Sequence, residues 1–140
     1  MFKFLLKLSL ITPLSMHVFA NDILGDWKII DDRSSNVLVK VRVTQTSDQT
    51  YQARVIEAYP AHHQTEEEMM QYRNFLVVSE LKSTPNKPNQ FYDGVAVDPV
   101  SKTVHKNVTA HLNARGNVLI FRGKADEEIA SRRLSWVKVK

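Results

Sequence analysis

Between positions 37 and 43 the chain reads Val-Leu-Val-Lys-Val-Arg-Val. Val37, Val39, Val41 and Val43 fall on one face, and Lys40 and Arg42 on the other. A period of two marks a strand with one buried and one wetted side. A second alternating run covers residues 50–58, where Tyr51, Ala53 and Val55 oppose Gln52 and Arg54. Clusters of turn-forming residues separate such runs at 31–36, 47–49, 98–101 and 113–116. Residues 83–89 read as a loop, because Pro85 and Pro88 lack the N–H that a strand ladder needs. The intervals predict strands over residues 23–30, 37–43, 50–58, 74–81, 90–97, 103–112, 117–123 and 133–139. Gly94 is the expected bulge position in the fifth of these.

One segment departs from the pattern. Thr65 is followed by Glu66, Glu67 and Glu68, which together make a capping box with acids in the first helical turn. Met69 and Tyr72 stand three apart, on one face of the helix expected over residues 65–73.

Eight short strands with regular turns and one short helix predict an all-β fold, a small antiparallel barrel or sandwich. An eight-stranded barrel is filled by its own side chains or holds one small ligand. The expected closure joins Gly25-Asp26-Trp27, which opens the first strand, to Arg132-Arg133-Leu134-Ser135-Trp136 in the last. Arg132, Leu134 and Trp136 alternate onto one face and Arg133 onto the other.

The first twenty residues stand outside this domain. Lys3 and Lys7 precede an apolar run from Leu8 to Phe19, and Val18-Phe19-Ala20 places small residues where a signal peptidase reads. This predicts a secretory signal over residues 1–20, cleaved after Ala20, and one barrel domain over residues 21–140. The run is broken by Pro13 and ended by His17, and is short of the roughly 20 residues that span a bilayer. Loss of Lys3 and Lys7 leaves seventeen basic against fifteen acidic residues, a net charge of +2. That small excess and export both argue against a nucleic-acid partner. The chain has no Cys, hence no disulfide framework and no lipid-acceptor thiol at the cleavage site. The expected product is an exported, periplasmic or extracellular protein without a stable membrane anchor.

In order and spacing, several of these pieces resemble a family of small exported bacterial proteins known as domain of unknown function 2147. They are Gly25-Asp26-Trp27 with Asp31-Asp32 soon after, Gly94 leading to Asp98-Pro99, Leu119-Ile120-Phe121-Arg122-Gly123, and Arg132 with Trp136 and Val137-Lys138-Val139. The resemblance covers nearly all of residues 21–140 and implies a lipocalin-like barrel. In that wider group a first-strand Trp is covered by an Arg of the last strand, which makes Arg132 the implied partner of Trp27. Ser101 stands where the family has Gly after Asp-Pro, and the Cys of the central loop in many relatives is absent. The resemblance implies no activity.

Candidate chemistry is sparse. His62 and His63 beside Glu66, Glu67 and Glu68 are ligand types for a metal, but adjacent residues face one ion only if the loop curls. A polar loop running into a charged helix start is the plainer reading. His105 and His111 share a strand face with Asn107 and Thr109, and six residues of strand separate them by about 20 Å. Solvent exposure or polar lining is their expected role. Lys106 falls among Val104, Val108 and Ala110 and is expected to reach out to water. The chain has no Gly-x-Ser-x-Gly elbow, phosphate-binding Gly loop, His-Glu-x-x-His or Cys nucleophile, so neither an enzyme nor a cofactor is expected. Trp27, Tyr51, Phe91, Tyr92, Phe121 and Trp136 read as core aromatics, some of which could line a cavity. Tyr51, Met69, Met70, Phe91 and Phe121 are the candidate ligand contacts, with the helix as a lid.

Two functions compete. The first is a periplasmic lipocalin-like barrel that binds a small apolar or amphipathic molecule non-covalently. The second is a packed interaction module acting through a basic patch of Lys40, Arg42 and Arg54 on a protein or envelope partner. An internal cavity of about 300 Å³ or more would favour the first.

Overall fold

The computed structural model describes residues 23–30, 37–59, 64–99, 102–124 and 132–140; the side chains of Val37, Lys124, Arg132 and Arg133 lie outside that description. Eight strands run in chain order: β1 (Gly25–Ile30), β2 (Val37–Gln45), β3 (Tyr51–Ala58), β4 (Leu76–Thr84), β5 (Lys87–Val97), β6 (Val104–Leu112), β7 (Val118–Lys124) and β8 (Arg132–Lys138). One helix, α1 (Glu66–Met70), lies between β3 and β4. Each strand pairs antiparallel with the next, and β8 returns to β1 to close the barrel. The all-β architecture and its first-to-last closure are those the alternation predicts.

The valine alternation of β2 sets its face. Val41 and Val43 are buried while Arg42 is exposed. The capping box of α1 forms as expected: the Glu68 N–H donates to Thr65 Oγ1 at 3.2 Å, and the Thr65 N–H to Glu68 Oε2 at 3.4 Å. The helix stops earlier than predicted. Tyr72 and Arg73 donate to the carbonyls of Met69 and Met70, three residues back, and Asn74 takes a left-handed φ of 67°. Those tight bonds close the last turn and leave no continuing helix.

Residues 83–89 are not a loop. Thr84 pairs with Lys87, so Pro85 and Asn86 alone turn the chain, with Asn86 at φ 62°. Proline presets the first turn position, and Asn tolerates the left-handed second one.

Three neighbouring strands each carry a residue at positive φ: Glu80 in β4, Asp93 in β5 and Asn107 in β6, at 58°, 60° and 54°. The register also shifts between Phe91 and Gly94 and between Gly94 and Ala96 in the β5–β6 pairing. The left-handed residue is thus Asp93, one before the glycine singled out by the sequence. Gly94 instead permits close packing, because a Cβ there would lie 2.9 Å from Leu81 Cδ1. Each irregularity changes which parity faces inward. Leu81 follows Val78, and Gly94 follows Phe91, at an interval of three along buried positions.

One half of the barrel is solid. Ile23, Val43, Ala53, Leu81 and Leu119 surround a residual gap of only about 10 Å³. Trp27 is fully buried, and its Nε1–H donates to the Ile23 carbonyl at 2.8 Å, tying the entering chain beneath the indole. Tyr51 and Phe91 meet edge to face in the core, with ring centroids 5.5 Å apart.

Candidate functional site

The other half of the barrel contains a cavity of about 130 Å³. Its walls come from the strand ends where β1 finishes, β2 begins, β5 finishes and β6 begins. Ile29, Leu38, Val77, Val78, Val108 and Phe121 supply apolar surface, and Asp98, His105 and Trp136 are its polar members. Phe121 and Trp136 lie against each other, ring centroids 4.2 Å apart and planes tilted by 38°. Trp136 is only 2 % exposed.

Two of these lining residues carry a buried nitrogen with no hydrogen-bond partner among the described residues: Trp136 Nε1 and His105 Nδ1. A buried polar atom left unpaired costs about 1–3 kcal/mol. The indole N–H can only donate, whereas an imidazole nitrogen donates or accepts according to tautomer. No Ser, Thr, Cys or Lys lines the cavity among the described residues. The lining thus offers a mainly apolar surface with a carboxylate, an imidazole and an indole N–H as its polar groups.

The bulge at Asn107 delivers His105 to this place. Strict alternation predicts His105 on the same face as His111. The register of β6 shifts between Lys106 and Thr109 against β7, and between Val108 and His105 against β5. His105 consequently joins the cavity wall, while Val104, Lys106 and His111 are exposed. Gly123 on β7 makes room for it: a Cβ there would sit 3.2 Å from His105 Cβ and 3.3 Å from Val108 Cγ2. Glycine at close approaches and a bulge beside a site are the usual devices for re-aiming a side chain.

Of the five candidate ligand contacts only Phe121 lines the cavity. Tyr51 and Phe91 pack together in the core instead. Met69 is buried, Met70 is 65 % exposed, and neither lines the cavity, since α1 meets the barrel at β3. His105, Trp136 and Asp98 were the residues that the candidate contacts missed. The sequence offers polar lining as one role for His105 and cavity lining as one role for Trp136, and it marks Asp98-Pro99 only as a turn.

The closure residues also need one correction. Gly25 opens β1 at φ 113°, and Trp27 and Trp136 are buried as expected. The Arg132 side chain lies outside the described residues, but its backbone register is clear. Trp27 pairs with Lys138, and Arg132 is six positions further along β8, about 20 Å away. The cation beside the Trp27 ring is Lys138, with Nζ 5.6 Å from the centroid. Antiparallel strands put the start of one beside the end of the other, so the start of β8 cannot reach the start of β1.

The basic patch is largely neutralised. Arg42 and Arg54 do pair across β2 and β3. However, Arg42 grips Asp26 with Nε to Oδ1 at 2.8 Å and Nη2 to Oδ2 at 3.2 Å. Lys40 lies 3.6 Å from Glu57, and Arg54 donates to the Asn74 carbonyl at 3.0 Å. The Arg42 hydrogen bond holds the Asp26 carboxyl below its ordinary value of 3.8, against the opposing effect of partial burial. A depressed folded pKa means that this pair stabilises the fold above the unfolded value, and that the gain is lost as pH falls through the folded one. Asp26→Asn should therefore lower the urea midpoint slightly at about pH 6, and the gap to the unaltered protein should close towards about pH 2. A gap that widens on acidification would refute the assignment.

His62 and His63 lie outside the described residues, and no group of three or more potential metal ligands occurs among the described ones. Comparison of the chain with family models, curated proteins and solved structures gave no match.

Proposed function

We propose that this protein is an exported, lipocalin-like barrel, akin to the domain of unknown function 2147 proteins, that binds a small apolar or amphipathic molecule without covalent chemistry. The supporting observation is the cavity of about 130 Å³ with apolar walls and two unpartnered nitrogens among its lining residues. Its volume is below the roughly 300 Å³ of drug-sized pockets. It is close to the roughly 150 Å³ that suffices for benzene in an apolar core. The ligand is thus of single-ring size, smaller than the sequence alone suggests. Export follows from the short apolar leader and its small-residue end.

Native mass spectrometry of the protein recovered from the periplasm tests both parts. The expected spectrum is a chain beginning at Asn21 that carries a small adduct, released on gentle activation. A chain retaining Met1 in the membrane fraction would overturn export. A bare chain that also gives no saturable shift with toluene would overturn binding.

A further inference from the structure

Within the binding function proposed above, we infer that the cavity selects an uncharged molecule of single-ring size bearing one hydrogen-bond-accepting oxygen, received by the indole N–H of Trp136. The two indoles of the chain are in opposite states. Trp27 Nε1 donates to the Ile23 carbonyl at 2.8 Å. Trp136 Nε1 is also buried and has no acceptor among the described residues. Phe121 packs against the Trp136 ring, centroids 4.2 Å apart and planes tilted by 38°.

The charge of the ligand follows from the remaining lining. No Lys or Arg lines the cavity among the described residues, and Asp98 contributes the one formal charge. A carboxylate ligand would meet that charge with no cation to offset its desolvation. An ammonium ligand would suit Asp98, but it brings only donors and would leave the Trp136 N–H, which can only donate, unpaired. A neutral carbonyl, ether or hydroxyl oxygen satisfies the N–H and carries no such penalty. His105 Nδ1 is the second unpartnered nitrogen and can complement a hydroxyl or a carbonyl by its choice of tautomer. The apolar walls take the body of the molecule, and the volume limits that body to about six or seven heavy atoms by comparison with benzene.

Cyclohexanone and methylenecyclohexane share one shape and differ in C=O against C=CH₂. Both are titrated into ¹⁵N-labelled protein while the two indole N–H signals are followed, with cyclohexanecarboxylate as the anionic probe. Cyclohexanone should shift the Trp136 signal downfield saturably and leave that of Trp27 in place. It should bind about 3- to 10-fold tighter than methylenecyclohexane, as one hydrogen bond allows. In Trp136→Phe the ratio of the two affinities should fall to about 1, whatever their absolute values, as expected when the one hydrogen bond that separates them is lost. Equal binding of the two compounds with a static Trp136 signal would overturn the acceptor assignment and leave the binding function standing. Tighter binding of cyclohexanecarboxylate would overturn the uncharged class. Binding of none of the three would overturn the cavity as a ligand site altogether.

Discussion

Trp27→Ala should lower the unfolding free energy by about 3–5 kcal/mol, as expected for truncating a fully buried large aromatic. Trp27 is 0 % exposed and pairs with Val41 on one side and Lys138 on the other, so it sits where first and last strands meet. Its loss opens a cavity at the closure and releases the Ile23 carbonyl from the indole N–H. Trp27→Phe separates these effects. It keeps most of the ring but leaves a buried carbonyl unpaired, which costs about 1–3 kcal/mol. Lys138→Ala removes a partly exposed cation at 5.6 Å from the ring, a contact worth about 0.5–1 kcal/mol at an exposed site, and should cost less than either change at Trp27. Urea denaturation checks the order, with Ala worst, Phe intermediate and Lys138→Ala mildest. A Trp27→Ala protein as stable as Lys138→Ala would mean that the barrel does not close over this indole.

Val41→Asp should be comparably damaging, by several kcal/mol, because it places a carboxylate in an apolar interior. Val41 is 0 % exposed, and its cross-strand partners are Trp27 and Val55, both buried; Val55 has no donor, and the Trp27 N–H is already given to the Ile23 carbonyl. Ionised, the new group is desolvated without a partner; protonated, it still leaves its oxygens unpaired. Lys40→Asp, one residue away, is the control. It exchanges the pair with Glu57 for a like-charge contact at a partly exposed site, worth about 1 kcal/mol. Midpoints that coincide for the two variants would show that β2 is not buried on one side only.

Much of this was legible locally. Val41 and Val43 could be assigned to the core because the period of two is a property of neighbouring residues. The Thr65–Glu68 box was legible for the same reason, since both partners lie within one turn. Trp27 and Trp136 were recognised as closure residues because they open and close the strand series. The lid role for Met69 and Met70 failed because nothing in a helix sequence states which part of the barrel it touches.

The sequence by itself determined the number of strands, the faces of β2 and β3, the cap of α1 and the pairing of first with last strand. Each depends on spacing along the chain, where side-chain periodicity and turn chemistry act directly. Tertiary structure alone decided that Lys138 is the β8 residue opposite Trp27, because strand direction and register are fixed between strands. It alone decided that His105 faces the cavity. Asn107 at φ 54° is an ordinary residue in sequence, and only the competing registers of β5 and β7 force it into a bulge that reverses the parity before it. The unpartnered indole of Trp136 is of the same kind. Whether a buried N–H finds an acceptor depends on which carbonyls the closed barrel brings near it; among the described residues it brings one to Trp27 and none to Trp136.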